Sequence, residues 1–102
     1  MSRLSLGTVQ FGLKYGIANQ SGRIKLEEVK KILQVAKNAN IDLIDTAISY
    51  GDTEKIIGDS GIKDFKFVSK LPALPKHEAD IESWVEKNVQ FSIKRLGIKS
   101  LY

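Results

Sequence analysis

The sequence predicts an α/β fold made of parallel strand–helix units. Three observations predict it. Four short β-rich segments alternate with three helical segments along the 102 residues. The longer helical segments repeat apolar residues at steps of three and four, which places them on one face. Gly, Asn and Pro residues punctuate the boundaries between segments. Strand, helix, strand, helix, strand, helix, strand is the pattern of a parallel sheet covered by helices.

The first strand is expected over Arg3 to Val9, with Leu4, Leu6 and Val9 as its apolar members. A loop with Gly12, Gly16 and Gly22 follows, too rich in turn formers for regular structure. The first long helix spans Leu26 to about Ala39. Leu26, Val29, Ile32, Leu33, Ala36 and Ala39 form its stripe, and Asn38 and Asn40 close it, because Asn tolerates the left-handed conformation. Ile41 to Ala47 is short and β-rich, hence a strand. Asp52 is placed to cap a short helix, Thr53 to Ile57, which Gly58 is expected to end. Phe65 to Leu71 is the third strand, with Phe65 and Phe67 on one face, and Pro72 and Pro75 break it. The last helix runs from about Ala79 to Leu96, with Trp84 on its core stripe and Gly97 as its stop. Acidic residues crowd its first turns and Lys94-Arg95 its last, which suits the helix dipole. Ile98 to Tyr102 begins a fourth strand. Right-handed crossovers lay such strands side by side in chain order. A doubly wound open sheet and part of a (β/α)8 barrel both fit.

Composition removes several function classes. There is no cysteine, so neither a disulfide framework nor a Cys-ligated zinc site arises. His77 is the single histidine, which excludes a His-rich metal site; it reads as a solvated residue near a helix start. The charge is 16 − 12 = +4 and is interspersed with acids, unlike the one-sided basic face of a nucleic-acid binder. No apolar run approaches the roughly 20 residues that cross a bilayer, and the N-terminus lacks a signal-peptide core. A soluble cytoplasmic protein is expected, with neither nucleic acid nor membrane as partner.

In both architectures ligands bind at the carboxyl ends of the strands. Asp45 lies near the end of the second strand, Tyr50 in the loop after it and Lys70 at the end of the third. Neighbouring strands lie about 4.8 Å apart, so an acid, a phenol and an amine could converge on one rim. An ammonium beside a phenol stabilises the phenolate, and a carboxylate keeps the ammonium charged. Such a tyrosine donates a proton to a carbonyl oxygen as hydride reaches the carbon. Asp-Thr-Ala with a tyrosine nearby also arises by chance, so spacing alone leaves both readings open.

The motifs carry more. Leu6-Gly7-Thr8-Val9-Gln10-Phe11-Gly12 opens the chain, and Ile44-Asp45-Thr46-Ala47-Ile48-Ser49-Tyr50-Gly51 follows the first long helix. Gly51-Asp52-Thr53-Glu54 leads to Ile57-Gly58, then Val68-Ser69-Lys70, then Phe91-Ser92-Ile93-Lys94-Arg95-Leu96-Gly97. In this order and spacing the sequence resembles the first part of an aldo-keto reductase. The most specific element is Asp-Thr-Ala-x-x-Tyr-Gly with a lysine 20 residues beyond the tyrosine. Ser69 stands where the family usually has threonine, and Asn40 where many relatives have glycine.

The resemblance implies a (β/α)8 barrel that reduces aldehydes and ketones with NADPH. It implies Tyr50 as general acid, Lys70 as the residue that lowers its pKa, and Asp45 as the carboxylate paired with Lys70. It places Gly7 and Thr8, with Asp45, near the nicotinamide. The Gln10–Asn19 loop resembles a bacterial branch with members in surface-carbohydrate pathways, which suggests a sugar-derived carbonyl substrate. Tyr15 lies in that loop and reads as structural or surface. The family's catalytic histidine follows the Leu-Gly by a few residues, and His77 is not that residue. Residues 1–102 are therefore expected to be a partial reductase domain, about β1–β4, truncated near the fourth strand. Alone it should have little activity, and its exposed sheet edge should make it self-associate or be poorly stable. Two other readings are a non-catalytic binding or assembly module on a reductase-like scaffold and a small open-sheet domain.

Overall fold

The structure is a computed structural model that describes residues 3–13, 24–62 and 64–102. Three parallel strands, β1 (Leu6–Gly7), β2 (Leu43–Asp45) and β3 (Lys66–Val68), form one sheet in chain order. Leu6 and Gly7 stand opposite Ile44 and Asp45, and Leu43, Ile44 and Asp45 stand opposite Lys66, Phe67 and Val68. Among the described residues four helices accompany them: α1 (Val9–Gly12), α2 (Leu26–Asn38), α3 (Thr53–Ser60) and α4 (Ile81–Leu96). The α/β class with parallel strands agrees with the sequence.

The core is a cluster of Phe11, Val29, Leu33, Ile44, Ile57, Phe67 and Leu96. β2, β3 and each helix contribute where their apolar positions point inward, and Leu6 of β1, partly buried, packs against the cluster. Val29, Leu33 and Ala36 are the buried part of the α2 stripe, while Leu26 at its first turn is partly exposed. Phe65 packs edge-on against Phe67, with ring centroids 6.3 Å apart.

Two helix ends follow the sequence closely. Asn40 takes φ 62°, its N–H reaches the Lys37 carbonyl, and the Ile41 N–H reaches back to the Ala36 carbonyl at 2.9 Å. Gly97 takes φ 68° with the equivalent bonds from Gly97 to Lys94 and Ile98 to Ile93. Both close the orphan carbonyls of a last turn through a left-handed residue. At the other end of α4 the Asp80 side chain accepts the Ser83 N–H, so the helix starts at Ile81 rather than near Ala79.

Several expectations need correction. The regular strands are shorter than the β-rich segments, because ladder pairing covers only part of each. Single bonds extend the β2–β3 contact on both sides, from Lys66 N–H to Asp42 C=O (2.7 Å) to Ile48 N–H to Lys70 C=O (3.2 Å). Val9 to Gly12 is a helical turn rather than strand end and loop. Residues 14–23, including Tyr15 and most of the Gln10–Asn19 loop, lie outside the described residues.

Gly58 does not end α3. The helix continues to Ser60, and Gly61 at φ 74° ends it. Trp84 is only half-buried and Ile81 is 55% exposed, because α4 buries its C-terminal residues Ser92 and Leu96 instead. Ile98 to Tyr102 forms no strand among the described residues. One bond, from Tyr102 N–H to Phe67 C=O at 2.8 Å, joins it to the β3 edge away from β2. One bond does not make a ladder. No helix of the described residues is long and apolar enough to cross a membrane.

Candidate active site

The carboxyl ends of β2 and β3 bring together the three residues read from the sequence. Lys70 Nζ donates to Asp45 Oδ1 and to the Thr46 carbonyl, the latter at 3.1 Å. The same Nζ lies 5.3 Å from the centroid of the Tyr50 ring, inside the range of a cation–π contact. Asp45 and Lys70 side chains are 42% and 49% exposed, so the rim is open to solvent. An ion pair that exposed contributes about 0–1 kcal/mol to stability. The pair is therefore better understood as an arrangement of charge than as a fold support.

The Lys70 ammonium is held above its ordinary pKa of 10.5, chiefly by the hydrogen bond to Asp45. Slight burial works against this, and the charge of Asp45 and the phenol of Tyr50 add to it. The lysine is thus cationic throughout the neutral range.

Buried threonines fix the backbone beneath the rim. Thr8 donates its hydroxyl to the Asp45 carbonyl at 2.9 Å, tying the end of β1 to the end of β2. Thr53 donates its hydroxyl to the Tyr50 carbonyl at 2.7 Å, and its N–H reaches the same oxygen at 3.1 Å. The approach is so close that a β-carbon on Gly12 would stand 2.4 Å from both Thr53 N and Tyr50 O. Gly12 therefore lets the α1 turn lie directly against the Tyr50 loop. Gly51, at φ 59°, turns that loop towards Gly12.

Gly7 and Thr8, the expected cofactor contacts, occupy different surroundings. Gly7 is exposed opposite Asp45, and a β-carbon there would meet nothing within 4 Å. Thr8 is buried, with its hydroxyl turned to the Asp45 backbone. His77 is exposed in the turn before α4. Among the described residues no group of three or more His, Asp or Glu side chains could hold a metal ion.

Sequence reasoning passed over Glu54 and Arg95. Glu54 is fully buried, and its Oε2 accepts the Ser69 hydroxyl at 2.9 Å. Its Oε1 lies 3.6 Å from Arg95 Nη1, an ion-pair distance without a hydrogen bond. An acid in the first turn of a helix normally suits the dipole from the surface. Only the pairing of a buried acid with a distant arginine distinguishes this one, and that needs the fold.

The aldo/keto reductase family model matches residues 3–101. This chain belongs to the aldo/keto reductase family. A crystal structure from Pseudomonas aeruginosa, described as an aldo-keto reductase, is similar at 31% identity and a TM-score of 0.79, covering 98% of this chain and 40% of that one. A second aldo-keto reductase structure from Pseudomonas aeruginosa is similar at 30% identity and a TM-score of 0.76, covering 98% and 38%. No curated protein matches the chain significantly. This aldo-keto reductase chain thus spans about two fifths of the length of those structures. Its scaffold is reductase-like, and the family acts on small-molecule carbonyl compounds.

Proposed function

We propose that these residues supply the proton-donating part of an NADPH-dependent carbonyl reductase site acting on small aldehydes or ketones. The supporting observation is the double engagement of Lys70, bonded to Asp45 and 5.3 Å from the Tyr50 ring centroid. Tyr50 is the general acid. Its phenol gives a proton to the carbonyl oxygen, and the Lys70 ammonium sits beside the phenolate left behind. Asp45 holds the lysine in place and charged. A nicotinamide supplies the hydride when bound. The open space at Gly7 beside Asp45 fits the close approach of a flat ring. Gly7 and Asp45 are the residues that would border that end of the cofactor, and Thr8, buried with its hydroxyl on the Asp45 carbonyl, would support them from beneath.

In this reading the three strands, with Ile98 to Tyr102 leading towards a fourth, are the opening part of a (β/α)8 barrel, a fold of about 250 residues. A sugar-derived carbonyl is the narrower substrate class we favour, on the sequence of the Gln10–Asn19 loop. The 102 residues alone should turn over little and should self-associate, given that β1 and β3 are the edge strands of the sheet among the described residues, with the Tyr102 N–H meeting the β3 edge at Phe67, and that Leu4, Leu74 and Phe91 are exposed.

The test is NADPH binding by fluorescence, with NADPH consumption on simple aldehydes for the parent and Tyr50→Phe. Binding is expected, with weak turnover that Tyr50→Phe lowers about 10²–10⁴-fold. Turnover unaffected by Tyr50→Phe would reject the acid assignment. A stable complex with a partner and no cofactor binding would favour the assembly-module reading.

A further inference from the structure

We infer that Glu54 is a positioning residue that sets Lys70 and Tyr50 against each other from behind the site. This rests on the reading of Tyr50 and Lys70 as the reacting pair. Glu54 lies in the first turn of α3 and is fully buried. Taking a carboxylate out of water is unfavourable unless it is paired and hydrogen-bonded. The proton-transfer scheme does not use this one, so its burial calls for another role.

Its two oxygens serve two different elements. Oε2 accepts the hydroxyl of Ser69, the residue immediately before Lys70. Oε1 faces Arg95 Nη1 at 3.6 Å, in the last turn of α4. Through Nη2 the same guanidinium donates to the Gly51 carbonyl at 3.2 Å, immediately after Tyr50, and lies 4.0 Å from Asp52 Oδ1. One carboxylate is thus one bond from the neighbour of the amine and two contacts from the neighbour of the phenol.

The geometry explains why such a tie controls the rim. Successive side chains of an extended strand point to opposite faces. Ser69 points to the helix side, where Glu54 holds it, and Lys70 points to the rim, where Asp45 receives it. Pinning Ser69 fixes the strand rotation from which the Lys70 side chain departs. The backbone bonds to the β2 side, from Thr46 N–H to Val68 C=O at 2.8 Å and from Ile48 N–H to Lys70 C=O at 3.2 Å, flank Ser69, and the Glu54 contact fixes the residue between them from the helix side. Arg95 acts likewise on the Tyr50 loop by holding the carbonyl of Gly51.

Lysine-selective NMR of the 102-residue protein tests this without any activity. The groups facing Lys70 are Asp45 and the Thr46 carbonyl from β2, and Tyr50 from the loop. The titration midpoint of Lys70 is read in the parent, Ser69→Ala, Ser69→Thr and Glu54→Gln, alongside melting temperature. Ser69→Ala and Glu54→Gln are expected to bring the Lys70 midpoint down towards the ordinary 10.5, and Ser69→Thr to keep the parent value. A folded Ser69→Ala with the parent midpoint overturns the proposal, whatever happens to its melting temperature. If Glu54→Gln does not fold, the Ser69→Ala and Ser69→Thr pair decides. The readout is independent of whether Tyr50 is the acid, so failure here and failure of the Tyr50→Phe assay are separate results.

Discussion

The carbonyl oxygen of Arg95 lies 2.1 Å from the point that a β-carbon on Gly58 would occupy. Helices α3 and α4 therefore cross backbone against backbone, with nothing flexible to yield. Replacing glycine by alanine inside a helix normally gains about 1 kcal/mol. Forcing an extra carbon into a filled contact costs about 1–3 kcal/mol. The second effect wins here, because the obstructing atom is main chain and Arg95 is already held by Glu54 and Gly51. Gly58→Ala is expected to lower the stability by up to about 2 kcal/mol in urea denaturation. A more stable Gly58→Ala would mean that the two helices slide apart freely.

Asn40 ends α2 at φ 62°, where most side chains are strained. Asparagine and glycine accept this conformation more easily than alanine. Asn40→Ala should destabilise by about 1 kcal/mol and Asn40→Gly by no more than a few tenths. Thermal melts of the three proteins decide the matter. Identical melting for Asn and Ala would show that the last turn frays before the fold does.

These two residues also mark how far the sequence could be followed. Asn40 and Gly97 were legible because a left-handed helix end is a local matter of one residue type at one position. Asp45, Tyr50 and Lys70 were legible as neighbours because parallel strands in chain order bring consecutive strand ends side by side. Gly58 was not, since a glycine that stops a helix and a glycine that admits another helix have the same local sequence. Glu54 was hidden for a related reason: its burial depends on Arg95 and Ser69, which arrive later in the chain. Trp84 was misplaced because a periodic stripe shows which face is apolar but not how much of its length finds a partner.

The raised Lys70 pKa fixes the sign of one pH effect. A group whose folded pKa lies above its unfolded value stabilises fully below the unfolded value and loses that contribution as pH rises through the folded one. For Lys70 the contribution is present at neutral pH and disappears above 10.5. The side chain is half exposed, so the effect is small and solvent-screened. The melting difference between the parent and Lys70→Met should stay constant across neutral pH and close in the alkaline range. Asp64 behaves in the opposite sense. Its hydrogen bond from Lys37, and then the Lys37 charge, hold it below its ordinary 3.8, so its contribution is lost as pH falls through the lowered value. A parent-minus-Lys70→Met difference that closes in acid but persists in alkali would contradict the Lys70 assignment.

Glu54 and Arg95 predict a large and non-additive effect on stability. Glu54 is fully buried and the Arg95 side chain is 16% exposed, so solvent does little to replace a lost partner. Removing one member of a buried pair leaves an uncompensated charge and costs about 3–5 kcal/mol. Arg95→Met keeps much of the aliphatic stem, which isolates the charge from the packing. It also removes the bond to Gly51 and the contact with the Phe91 ring, 5.1 Å from Arg95. Glu54→Gln removes the charge and retains an oxygen for Ser69. The double variant should therefore be far less destabilised than the two singles added together, because the second change removes the charge that the first left stranded. Urea denaturation of the four proteins measures the coupling, provided their slopes agree. A coupling of at least about 1 kcal/mol is expected. Additive losses would show that Arg95 supports α4 and the Gly51 loop without neutralising Glu54.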